Sequence, residues 1–74
     1  MKVEVKLFAY FRDNRFSVKT FVFAGNITVE EIIASLDINI EDVGVTMING
    51  RHCKLDALLR DGDSLGIFPM IGGG

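Results

Sequence analysis

Hydrophobic and polar residues alternate from the start of the chain. Val3, Val5, Leu7 and Ala9 interleave with Lys2, Glu4, Lys6, Phe8 and Tyr10, and a period of two predicts a strand with one face buried. The outward positions of that strand change from charged to aromatic at Phe8 and Tyr10. Arg12-Asp13-Asn14-Arg15 is a short polar break made of turn residues. Phe16 to Phe23 then runs rich in β-branched and aromatic side chains, and two strands joined by so short a break read as a hairpin. The inward face of residues 16–23 stays undecided, because Phe21 and Phe23 compete with Val18 and Val22 for the interior.

The period then lengthens. Thr28 followed by Glu31 fits a capping box with Thr28 as N-cap. Val29, Ile32, Ile33 and Leu36 fall on one face at helical spacing, with Glu30, Glu31 and Ser35 toward solvent. The two glutamates suit the positive end of the helix dipole. A helix of about two and a half turns does not persist alone in water, so it must lie on the sheet. Ile38 to Asp42 reads as a connector and Val43 to Ile48 as a third strand, burying either Val43, Val45 and Met47 or Thr46 and Ile48. Asn49-Gly50 is a favoured type I′ hairpin turn, leading into a short return strand, Arg51 to Lys54. Leu55, Leu58 and Leu59 suggest a turn of helix under a loop. Asp61-Gly62-Asp63 is a sharp turn, and Ser64 to Phe68 is the last strand, with Leu65 and Ile67 inward and Phe68 outward. Pro69 ends donation to the ladder. The order β-β-α-β-β-β predicts an α+β domain in two layers, one helix packed across a mixed sheet.

Composition narrows the function classes. A chain of 74 residues is one small domain, and a domain of that size buries only about 60% of the surface its unfolded form exposes. No room remains for a second domain or for an enzyme cleft with its own lid. At 49% hydrophobic and 24% charged, the chain is globular rather than disordered. Ten acidic residues against eight basic give a net charge of −2, which argues against nucleic acid as a partner. A single cysteine excludes an internal disulfide framework and a cysteine-based structural zinc site. No apolar run approaches the roughly 20 residues of a membrane span, and the charged alternation at the N-terminus is unlike a signal peptide. A cytoplasmic protein without a membrane partner is expected.

Reactive side chains are sparse. His52 and Cys53 are neighbours, so on a strand they point to opposite faces and make a poor nucleophile–base pair. A surface histidine beside a packed thiol is the simpler reading. Asp61 and Asp63 flank a turn glycine, and turn chemistry accounts for them better than metal binding. No metal site, Walker motif or dinucleotide motif is present. The unusual feature is the end of the chain, Met70-Ile71-Gly72-Gly73-Gly74. Glycines gain nothing by packing and let backbone enter a narrow channel. Residues 1–71 therefore read as the domain and 72–74 as a flexible tail. Met70 to Gly74 span up to about 17 Å when extended, enough to carry the Gly74 carboxylate into a partner's active site. An α-carboxyl ionises near about pH 3.5, so it is available as a nucleophile at neutral pH. Phe8, Tyr10 and Phe68 would form an apolar patch near the root of that tail if the first and last strands are neighbours, with Met47 a further candidate for it, and such patches mark partner sites. The alternative is that these aromatics tuck under a loop or stand singly without meaning.

At this point the chain resembles the ubiquitin-like sulfur carriers of the MoaD/ThiS family. These include the small subunit of molybdopterin synthase and the sulfur carrier of thiazole synthesis. The likeness covers nearly the whole chain. It rests on Val5-Lys6-Leu7-Phe8-Ala9-Tyr10-Phe11-Arg12, Thr28-Val29, Ile48-Asn49-Gly50, Leu59-Arg60-Asp61-Gly62-Asp63 and Phe68-Pro69-Met70-Ile71-Gly72-Gly73-Gly74. The resemblance implies a β-grasp fold. It implies that a ubiquitin-activating-type adenylating enzyme uses ATP to convert the Gly74 carboxylate to an acyl-adenylate. A sulfur donor then leaves a C-terminal thiocarboxylate. The sulfur passes to an acceptor enzyme, the large subunit of molybdopterin synthase or thiazole synthase. The carrier binds no permanent cofactor, and its partners supply the catalytic groups. Gly74 is then the reacting residue, and Gly72, Gly73, Phe8, Tyr10, Phe68 and Met70 contact partners. The family ends in two glycines and this chain in three, which leaves Gly73 and Gly74 as alternative functional termini. Phe68-Pro69 leans toward the molybdopterin branch. Thiamine thiazole synthesis, tRNA thiolation, isopeptide-forming protein modification and a plain interaction module are the competing readings.

Overall fold

The computed structural model describes residues 1–71. The expected glycine tail, with Gly72, Gly73 and Gly74, lies outside the described residues. Five strands form one mixed sheet: β1 Lys2–Leu7, β2 Val18–Val22, β3 Val43–Ile48, β4 Arg51–His52 and β5 Ser64–Pro69. Their spatial order is β2-β1-β5-β3-β4. β1 pairs antiparallel with β2 and parallel with β5, while β3 pairs antiparallel with both β5 and β4. One helix, α1 (Val29–Ser35), crosses one face of the sheet. A parallel pair cannot be joined by a tight turn, and α1 lies in the long connection between β1 and β5.

The core is the alternation expected for β1 set against the helical stripe. Val3, Val5 and Leu7 meet Leu65 and Ile67 of β5 and Val29, Ile32 and Ile33 of α1, with Phe11, Ile38 and Leu59 closing the edges. Each such side chain contributes roughly 1.5–3 kcal/mol by leaving water. The capping box forms as the spacing predicts. The Glu31 amide donates to Thr28 Oγ1 at 3.3 Å, and the Thr28 amide donates to Glu31 Oε1 at 3.0 Å. Arg15 closes the other end of the helix, donating to the carbonyls of Leu36 and Asp37 at 3.3 and 3.2 Å. Loss of the N-cap in Thr28→Ala should cost about 1 kcal/mol. For a domain of this size that is about 4–8 °C in melting temperature by circular dichroism.

The two undecided strands resolve for physical reasons. Phe21 sits opposite Val3, so Phe21 and Phe23 take the core side, while Val18 and Val22 are left exposed. In β3, Thr46 is buried and Ile48 packs against the core. The Thr46 hydroxyl donates to the Cys53 carbonyl at 2.9 Å. Val43 also packs inward, because a register shift between Val43 and Val45 lets both Val43 and Thr46 face the helix. Cys53 Sγ lies 3.4 Å from Thr46 Oγ1, half-buried, and His52 is on the opposite, exposed side. The thiol is thus a packing group beside a surface histidine.

Three local expectations are corrected, and the connector before β3 gains a short turn. β1 ends at Leu7, and Ala9–Arg12 form a 3₁₀ turn, so Ala9 is exposed and Phe11 is the inward residue. A second 3₁₀ turn, Ile40–Asp42, occupies part of the connector. The return strand is only Arg51–His52. No helix forms at Leu55–Leu59. Leu58 instead makes an isolated bridge to Thr28, and the Val29 and Glu30 amides at the start of α1 donate to the carbonyls of Ala57 and Leu55. Those donors belong to the first turn of α1, which has no partners of its own within the helix.

Asn49 and Gly50 adopt φ of 53° and 81°, as a type I′ turn requires. The Asn49 side chain donates to Asp63 Oδ1 at 2.9 Å and accepts from the Ser64 amide at 2.9 Å. Asp63 Oδ2 accepts from the Arg60 amide at 2.8 Å, and Asp61 Oδ1 from the Lys2 amide at 2.7 Å. Both aspartates are therefore committed to turns. Among the described residues no group of His, Cys, Asp and Glu could hold a metal ion, and no helix is long and apolar enough to cross a membrane.

Candidate functional site

The face of the sheet away from α1 is apolar at its centre. Phe8 follows β1 in extended conformation, and its amide donates to the Ile67 carbonyl at 3.2 Å, which holds the residue against β5. Phe68 projects outward from β5. The two rings stack with centroids 4.0 Å apart and planes 7° from parallel, a contact worth about 0.5–1.5 kcal/mol beyond burial. They lie over Gly66, where an added Cβ would come within 3.4 Å of both rings. Any side chain at Gly66 would press on the stack. At Ala9 the backbone reverses with φ of 50°. The 3₁₀ turn then returns Arg12 over Phe8, its guanidinium 5.4 Å from the ring centroid and its Nε donating to the Leu7 carbonyl at 2.6 Å. The stack is thus covered on one side by a cation and open on the other.

Beside the stack runs an apolar groove of about 490 Å³, lined by Val45, Met47, His52 and Phe68 together with Met70 and Ile71. Met70 and Ile71 are 59% and 82% exposed, high values for apolar side chains. The Met70 amide donates to the Asp42 carbonyl at 2.8 Å, which fixes the chain just beyond β5. Besides Arg12, the charged neighbours are Lys6 and Glu4 of β1. They pair at 3.7 Å, and Glu4 also accepts from the Ser64 hydroxyl at 3.0 Å.

Of the residues singled out from the sequence, Phe8, Phe68 and Met70 fall on or beside this face. Tyr10 does not sit with the Phe8–Phe68 stack, because the strand that would have carried it outward ends at Leu7. It packs edge-on against Phe11, centroids 5.1 Å apart, and lines a shallow depression with Arg15, Asp37 and Asn39. Gly72, Gly73 and Gly74 lie outside the described residues. Met47, the further candidate for the patch, also lines the groove, while Val45, His52, Gly66 and Arg12 belong to the face and were not singled out for it. A usable signal existed for Gly66, since glycine inside an apolar strand marks a close approach.

The architecture defines a ubiquitin-like β-grasp protein with an apolar sheet face at the root of its C-terminal segment. The ThiS family model matches residues 5–74, and the chain belongs to the ThiS family. With it the chain joins the ubiquitin-like sulfur carriers of the MoaD/ThiS type. A Pyrococcus furiosus protein assigned as subunit 1 of molybdopterin converting factor is 27% identical, with 96% of this chain and 99% of that one covered and a TM-score of 0.76. Small archaeal modifier protein 1 of Methanosarcina acetivorans shares the fold at 24% identity, covering 99% and 96%, with a TM-score of 0.74. So does a Helicobacter pylori complex of subunits 1 and 2 of molybdopterin-converting factor, at 21% identity with both chains fully covered and a TM-score of 0.67. No curated protein matches the sequence significantly.

Proposed function

We propose that this protein is a sulfur carrier for molybdopterin synthesis, acting from its C-terminal carboxyl group. The observation that carries this reading is the placement of Met70. The last strand is fixed there, at the edge of an exposed apolar groove, and the sequence that follows is Ile71-Gly72-Gly73-Gly74. A partner that covers the Phe8–Phe68 face is then positioned to receive those residues. The Gly74 carboxylate oxygen attacks the α-phosphorus of ATP held by an adenylating enzyme, and pyrophosphate leaves. A sulfur nucleophile at the oxidation level of hydrosulfide attacks the acyl carbon, the bond to AMP breaks, and a thiocarboxylate remains. Neither step needs a catalytic side chain from the carrier. Its contribution is orientation.

The likeness to the Pyrococcus furiosus protein supports the molybdopterin branch. The Helicobacter pylori complex supports a second subunit as the sulfur acceptor. Thiazole synthase and a tRNA-thiolating enzyme are the alternative acceptors, and the cytoplasm is the expected compartment. Incubation of the full chain with an adenylating enzyme, ATP and sulfide should replace one oxygen by one sulfur at the C-terminus, read by intact mass spectrometry. No exchange with any adenylating enzyme from the same cell would overturn the proposal. Likeness to small archaeal modifier protein 1 favours one second reading, in which a lysine captures the same adenylate. Covalent adducts on other proteins in an ATP-supplemented lysate, absent without Gly74, would select it.

A further inference from the structure

Gly44 is the residue on which the root of the C-terminal segment rests. β3 and β5 fall out of step there. Val43 lies opposite Pro69 and Val45 opposite Phe68, so the single step from Pro69 to Phe68 faces two steps on β3. Gly44 is the extra residue, and the Pro69–Met70 peptide passes directly over it. A Cβ built on Gly44 would lie 2.9 Å from Met70 Cα, 2.9 Å from the Pro69 carbonyl oxygen and 3.0 Å from the Met70 nitrogen. All three are backbone atoms, so no rotamer change relieves the overlap. Two residues before Gly44, the Asp42 carbonyl accepts the Met70 amide at 2.8 Å. The bulge and this hydrogen bond hold the same peptide from two sides.

We infer that Gly44 is a positioning residue for the activation reaction. It lets the Pro69–Met70 peptide seat on β3, and that seat sets the direction in which the residues after Met70 leave the domain. The inference rests on the C-terminal carboxylate being the reacting group. Gly44 touches neither substrate nor nucleotide and acts through the backbone of Met70. Displacing a reacting group by about 1 Å costs on the order of 100-fold in rate, so the added methyl of Gly44→Ala has leverage far beyond its size. Phe68 borders the bulge through its pairing with Val45, but its ring stacks on Phe8 over Gly66 and does not rest on Gly44, so partner docking should survive.

The test compares wild type and Gly44→Ala in adenylation by one activating enzyme, with ATP–pyrophosphate exchange measured against carrier concentration. The variant should lose on the order of 10- to 100-fold in kcat while KM for the carrier stays within about twofold. Hydrogen exchange should show the Met70 amide deprotected in the variant, with the Ile67 and Phe68 amides still protected. Unchanged kcat, a loss confined to KM, or an unaltered Met70 amide would overturn the inference. If Gly44→Ala does not fold, a synthetic chain with an ester in place of the Pro69–Met70 amide decides the matter. It removes the Met70 donor without added bulk, and lowered kcat supports the inference while wild-type kcat overturns it. Failure of the wild type itself to react would instead count against the carboxylate mechanism.

Discussion

Deleting Gly74 should abolish thiocarboxylate formation and leave the melting temperature unchanged. The two halves of this expectation have separate causes. Removal of one residue withdraws the terminal carboxylate by about 3.3–3.6 Å, more than the tolerance for in-line attack on a bound phosphate. The five strands, α1 and the core cluster all lie within residues 1–71, so the stability carried by packing is untouched. Intact mass after reaction with the activating enzyme, ATP and sulfide gives the first half, and thermal unfolding gives the second. Full conversion of the shortened chain would assign the reaction to Gly73 and move the functional terminus back by one. A large fall in melting temperature would mean that the end of the chain is a structural element.

The second large effect is expected on the aromatic stack. Phe8→Ala combined with Phe68→Ala should raise KM for the carrier on the order of 100-fold, corresponding to about 2–3 kcal/mol of lost docking energy. The rings are half-buried in the free protein, so the remaining desolvation belongs to the partner. Their preset geometry, 4.0 Å apart over Gly66, means little entropy is lost when a partner covers them. With saturating carrier, kcat should be restored, because the rings supply docking and no group to the reaction. A loss in kcat at unchanged KM would remove the stack from the docking face. The two experiments divide the molecule into a part that binds and a part that reacts.

Much of this was legible in the sequence where one period or one cap dominates. The alternation of Val3, Val5 and Leu7, the Thr28–Glu31 box and the Asn49-Gly50 turn each specify local structure without help from distant residues. The outward Phe68 and inward Leu65 and Ile67 followed from the same rule. Tertiary context decided the rest. Tyr10 continued the aromatic pattern of Phe8, yet Ala9 turns the chain with positive φ and places Phe11 in the core instead. Two equally apolar faces competed in β2, and only the pairing of Phe21 with Val3 settles them. In β3 the bulge at Gly44 breaks the period of two, so neither alternating set was wholly right. Leu55, Leu58 and Leu59 have helical spacing but serve as backbone partners for the start of α1. The reach of Arg12 to Phe8 depends on a 3₁₀ turn that no periodicity announces.

The place of β5 between β1 and β3 has a bearing on biosynthesis. Each hairpin, β1–β2 and β3–β4, finds its other neighbour only when β5 is inserted, and long-range pairings of this kind form late. A nascent polypeptide stalled before residue 64 has neither a complete sheet nor the Phe68 half of the stack. The aromatic face therefore exists only once β5 has closed the sheet, and whatever reads that face reads a finished fold.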